Sequence, residues 1–151
     1  MTVHLTTPII VAGIETRTKA ADEMSGNGKI LPLWEKYRTE IFGQKIPAGV
    51  PIGLYTAYES DYQGAYTLLA GVEVDSAHTP ADGIRILTIP AGHYMKFAAK
   101  GAMPDIVIGL WQEVWRYFSA DTAEFARAYS TDFELYPALG EVEIYISIQP
   151  K

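Results

Sequence analysis

The segment EVEIYISI, residues 141–148, sets two carboxylates and a phenol at alternate positions near the end of the chain. As a strand it would place Val142, Ile144, Ile146 and Ile148 on one face and Glu141, Glu143, Tyr145 and Ser147 on the other. The β-branched face is core. The acidic face has two readings, a solvated outer surface or the wall of a cleft, and alternation alone does not choose between them. Ten tyrosines and three tryptophans are more than a small core requires by volume. Tyrosine suits a wall that must be apolar yet offer a hydrogen bond, although strands favour it in any case.

Other chemistries find little support. His4, His78 and His93 are far apart, with no spacing that suggests a zinc site, and read as loop or strand residues. The chain has no cysteine, which excludes a thiol nucleophile, a thiolate metal site and a disulfide framework. The glycines of MSGNGK lack the lysine–hydroxyl ending of a phosphate-binding loop, and no serine has a nucleophile-elbow context. Asp61 and Asp132 read as turn residues that serve the backbone. No metal or cofactor is expected. The net charge of −6, with no segregated basic run, argues against direct binding of nucleic acid. The amino terminus has no basic region followed by a long apolar run, so the expectation is a soluble, cytoplasmic protein with no membrane partner.

The elements that must position these residues follow from periodicity. PIIVAGIETRT reads as a first strand and ADEMSGNGK as a loop. Ile30, Leu33, Trp34, Tyr37 and Ile41 recur at helical spacing, with Pro32 in the first turn and Gly43 as the stop. PIGLYTAYESD and GAYTLLAGVEV form a strand pair, and DSAHTPADG is a second loop. The order then begins again. IRILTIPAGHYMKFAAKG is a strand broken at Pro90 to Gly92, and a second helix carries Val107, Leu110, Trp111, Val114, Trp115 and Phe118 on one face. FARAYSTDFELYP and EVEIYISIQP supply the last two strands. Leu33-Trp34 matches Leu110-Trp111, AYESDY at 57–62 matches AYSTDF at 128–133, and VEV at 72–74 matches VEI at 142–144. The halves therefore read as two βαββ repeats, about 3–79 and 84–150, within one domain over 1–151.

On VAGIETRT, LPLWEKY, GLYTAYESDYQGAYTLLAGVEV, IPAGHYMKF, GLWQEVWRYF, DFELYP and VEIYISI the chain resembles the GyrI-like effector-binding domains of AraC-type and MerR-type regulators. It is most similar to the stand-alone subgroup that includes integron cassette effector-binding proteins. The resemblance implies an α+β fold in which pseudo-twofold βαββ repeats form a curved antiparallel sheet with two helices. It also implies a cleft for amphiphilic, often cationic, small molecules, with a final-strand glutamate as cation partner. By position that glutamate is Glu143, and Glu73 would be its repeat counterpart. Glu141 reads as solvated. Many members carry proline where this chain has Ser147. No helix-turn-helix segment precedes the first strand, so the expectation is that this chain does not read an operator by itself.

The ligand-binding set expected on these grounds is Glu143 and Tyr145, with Tyr55 and Tyr94 beside glycine-marked strand segments and Trp34 and Trp111 at matching points of the two helices. Both tryptophans would line a cleft between the helices and above the sheet, whereas a cleft on the opposite sheet face would leave them as packing. A lipophilic cation is the expected ligand. Two alternatives stand beside it: an interaction protein whose ligand tunes a separate DNA-binding, regulatory or gyrase partner, and a small-molecule hydrolase with Glu143 as general base.

Overall fold

The computed structural model describes residues 1–26, 28–76 and 78–151. Positions 27 and 77 fall within the two expected polar loops and lie outside the described residues. The strands are β1 (Thr2–Leu5), β2 (Ile9–Thr18), β3 (Ile52–Thr56), β4 (Tyr66–Glu73), β5 (Arg85–Ile89), β6 (Gly92–Lys100), β7 (Phe125–Arg127), β8 (Asp132–Leu135) and β9 (Glu141–Pro150). The helices are α1 (Ala20–Met24), α2 (Ile30–Lys36) and α3 (Asp105–Ser119), and α2 runs on into a π-helical turn, Tyr37–Ile41. Helix α1 occupies part of the segment expected to be loop.

All strand pairings are antiparallel, in the order β1-β6-β9-β8-β3-β4-β2-β5, with β7 added beside β9. The units β2-α2-β3-β4 and β6-α3-β8-β9 form the two halves, and β3 and β8 meet at the centre. The lead-in strands cross over: β1 extends the second half and β5 extends the first. The break expected at Pro90 to Gly92 separates β5 from β6. Leu33-Trp34 and Leu110-Trp111 fall on the equivalent helices α2 and α3, but the other two matches of the repeats do not follow the fold. Ala57 to Asp61 comes after β3, whereas Ala128 to Thr131 comes before β8. Glu73 closes β4 opposite Val11, whereas Glu143 lies early in β9, so they are not counterparts.

Both faces of the sheet are covered. Under α3, the Leu110 and Val114 side chains pack on Val142, Ile144 and Ile146, so the β-branched face of β9 is core, as its alternation requires. Each such side chain stabilises the fold by roughly 1.5–3 kcal/mol. Leu33, Tyr37 and Ile41 of α2 and its π turn pack with Tyr55 and Leu68 of the sheet. On the opposite face Val11, Leu54, Leu69, Ile89, Tyr94 and Phe133 form a separate cluster that also takes in Val3 and Leu5 of β1 and Leu87 of β5. Strands from the two ends of the sheet meet there, which requires the sheet to curl. Among the described residues no helix is long and apolar enough to cross a membrane.

The last strand segment before β9 departs from expectation. FARAYSTDFELYP is not one strand but β7 and β8, separated at Ala128 to Thr131, where Tyr129 holds a left-handed φ of 51°. The fold-back brings Arg127 onto Asp132.

Candidate functional site

Strand β8 is short and carries two acids. Alternation sends Phe133 and Leu135 into the cluster beneath the sheet and turns Asp132 and Glu134 toward the helices, where they are 0% and 1% exposed. Asp132 is fully answered. Its Oδ2 accepts from Arg127 Nη2 at 2.8 Å and from the Tyr58 hydroxyl, and its Oδ1 accepts from Ser147 N and Oγ at 2.8 and 3.0 Å. Arg127 in turn lies 4.4 Å from the Tyr129 ring centroid. Burial would lower the Arg127 pKa, but the Asp132 charge beside it leaves it raised. Asp132 is therefore no turn residue; it anchors the start of β8. Proline at 147 could donate to Asp132 from neither its backbone nor its side chain. Ser147→Pro is expected to cost roughly 1–3 kcal/mol or more, read as a lower thermal midpoint, because it strips Oδ1 of both donors.

Glu134 sits two residues along the same face in different company. Its Oε2 accepts from Trp111 Nε1 at 2.9 Å and its Oε1 from the Tyr136 hydroxyl at 2.8 Å. The aromatic enclosure continues outward. Trp111 meets Tyr55 edge-on at 5.2 Å, Tyr55 meets Tyr66 at 5.5 Å, and Trp34 of α2 meets Tyr136 at 5.6 Å. These edge contacts bring the helix tryptophans and strand tyrosines into one box. Burial pushes the Glu134 carboxyl above its ordinary range, and the Trp111, Tyr136 and Tyr55 donors draw it only part of the way back. Burial first, and then the Glu134 charge, raises the Tyr55 and Tyr136 phenols, so both remain neutral donors. No Lys, Arg or His pairs with Glu134 among the described residues.

A family of integron-associated effector-binding proteins, Cass2, matches the chain over residues 5–148. The chain belongs to this family. It is 36% identical to a Cass2 integron cassette protein from the mobile metagenome of Vibrio cholerae, with 99% of this chain and 95% of that one covered at a TM-score of 0.87. It is 27% identical to YobU of Bacillus subtilis (strain 168), named as a proposed transcriptional regulator, over 91% of both chains. It also shares its fold with SAV2435, solved bound to tetraphenylphosphonium, at 21% identity and a TM-score of 0.75, with 99% of this chain and 93% of that one covered.

In this Cass2 chain the six residues singled out from sequence divide between the sheet faces. Trp34, Trp111 and Tyr55 come together near Glu134, between the helices and the sheet. Glu143, Tyr145 and Tyr94 do not join them. The β9 residues Ile144 and Ile146 face α3, so Glu143 must point to the other side. There it pairs with Lys96 at 3.3 Å and accepts from the Tyr145 hydroxyl at 2.9 Å. Tyr145 stacks on Phe133, and the Tyr94 hydroxyl donates to the Pro90 carbonyl at 2.6 Å. A depression of about 180 Å³ reaches Glu143, but no aromatic side chain lines it. Glu143→Gln is expected to change stability by less than about 1 kcal/mol, as for a partly exposed ion pair, in a urea titration.

The carboxylate that the aromatic donors surround is therefore Glu134, whereas Glu143 pairs with Lys96 on the other face. DFELYP held the signal: Asp132, Glu134 and Tyr136 alternate with Phe133 and Leu135, so three polar groups share one face of an apolar strand.

Proposed function

We propose that this Cass2 protein binds a lipophilic organic cation at Glu134, within the box formed by Trp34, Trp111, Tyr55 and Tyr136. One contrast carries the reading. Of two fully enclosed acids on one face of β8, Asp132 is neutralised by Arg127, whereas among the described residues Glu134 has neutral donors alone. A buried negative charge without a positive partner is costly, and a cationic guest would remove that cost. The aromatic faces would each add about 0.5–2 kcal/mol through their quadrupoles. Tetraphenylphosphonium bound to SAV2435 supports the same ligand class.

Tyr55 is only 7% exposed, so entry to the box requires the half-buried Trp34, Trp111 and Tyr136 rings to part. Tryptophan fluorescence titrated with tetraphenylphosphonium tests the reading. The expected result is a dissociation constant in the micromolar range, about −8 kcal/mol, with the neutral triphenylphosphine oxide binding at least about tenfold more weakly, a difference of roughly 1.4 kcal/mol. Equal affinity for the two would remove the charge from the account.

A further inference from the structure

Gly53 of β3 is the direct cross-strand neighbour of Glu134. A Cβ built on it would lie 2.6 Å from Glu134 Oε1, 3.1 Å from Cγ and 3.2 Å from Cδ. The Glu134 side chain therefore lies flat across the bare Cα of Gly53. The atom that comes nearest, Oε1, is the one that accepts the Tyr136 hydroxyl.

Other reasons for a glycine at this point fail. Its φ is not in the left-handed region, so any residue could adopt its backbone. Glycine inside a strand is disfavoured against alanine by conformational entropy and offers no side chain to pack. Nor does a neighbouring backbone approach it. Gly13 and Gly71 show what that looks like: a Cβ on either would lie 2.1 Å from a carbonyl oxygen of the adjacent strand, Ala70 O or Ala12 O. At Gly53 the obstacle is the movable end of one side chain. An alanine would leave the strands in register and push the carboxylate away from its donors.

We propose that Gly53 is a positioning residue: by lacking a side chain it lays the Glu134 carboxylate on the floor of the aromatic box, in reach of Trp111 and Tyr136. Its consequence for ligand affinity rests on the cation-binding reading of Glu134; its consequence for the carboxylate does not. A residue with a Cβ at this position would turn the carboxylate off the axis of the box, so its effect on a cation runs through the Glu134 charge.

The test uses Gly53→Ala, Glu134→Ala and Glu134→Gln, singly and combined, with three readouts. The Trp111 indole N–H resonance, assigned with Trp111→Phe, is expected to shift in Gly53→Ala toward its position in Glu134→Ala. Thermal unfolding is expected to show Gly53→Ala as destabilising beside Glu134 but neutral or stabilising in the Glu134→Ala background. This cycle decides the matter even if Gly53→Ala alone folds poorly. Tetraphenylphosphonium affinity is expected to fall at least tenfold in Gly53→Ala, with no additional loss when Gly53→Ala is added to Glu134→Gln. An unmoved indole resonance, or equal destabilisation in the presence and absence of the glutamate side chain, overturns the proposal. If the parent protein fails to bind the phosphonium, the cation reading fails, while the indole shift and the stability cycle still decide the role of Gly53.

Discussion

Glu134→Gln is expected to weaken tetraphenylphosphonium binding about 100-fold while stabilising the unliganded protein at neutral pH. At about 5 Å and an effective dielectric near 20, the lost attraction is roughly 3 kcal/mol, which corresponds to about two orders of magnitude in affinity. The stability sign follows from burial. The folded-state pKa of Glu134 lies above its unfolded value, so the group binds its proton more tightly when folded. Its favourable contribution is complete below the ordinary glutamate pKa of about 4.3 and is lost as pH rises through the raised folded value. Above the raised folded value the ionised group is a liability that the amide removes. The amide oxygen can still accept from Trp111, and the Tyr136 hydroxyl can turn to accept from its NH2 group. Wild-type affinity for the cation should rise with pH through the same transition, and that of Glu134→Gln should stay flat. Isothermal titration across pH 4–8 and urea unfolding measure both halves.

Arg127→Met should act in the opposite sense, on the fold first. It leaves Asp132 enclosed with Tyr58 and Ser147 as donors but no positive charge, and it removes the stacking on Tyr129. Breaking a buried pair from one side costs about 3–5 kcal/mol, a large share of the 5–15 kcal/mol that holds a typical domain together. Adding Asp132→Asn should recover part of the loss, because the stranded charge and not the missing bond dominates it. Urea titrations of the two single variants and the double variant give the cycle; strict additivity would show that the pair is not coupled.

Periodicity made most of the architecture legible. The apolar stripe of α3, with Leu110 and Val114 innermost, the alternation of β9 and the break at Pro90 to Gly92 all follow from local spacing. Long-range choices did not. The crossing of β1 and β5 between halves, the division of β7 from β8 by the left-handed Tyr129, and the burial of Asp132 depend on contacts that no short window contains.

The candidate site shows the same limit. Alternation correctly separates Glu143 from Ile144, and Glu134 from Phe133, but it cannot say which face of a strand meets the helices when both faces are covered. On β9 the apolar face turns to the helices; on β8 the polar face does. A reading that takes the polar face of every strand as the wet one therefore chooses Glu143 and passes over Glu134. Trp34, Trp111 and Tyr55 were accessible from sequence because matching helix positions and a glycine-marked strand are local features. For the carboxylate beside them, DFELYP supplies the alternation but not which face meets the helices, which depends on the pairing of β8 with β3 at the centre of the sheet.

A crystal structure of the protein with tetraphenylphosphonium is the most direct test. The account predicts the phosphorus beside Glu134, with Trp34 and Trp111 rings within about 6 Å of a phenyl group and the Lys96–Glu143 pair undisturbed. Phosphonium density at Glu143 on the opposite face, with the box around Glu134 still shut, would contradict it.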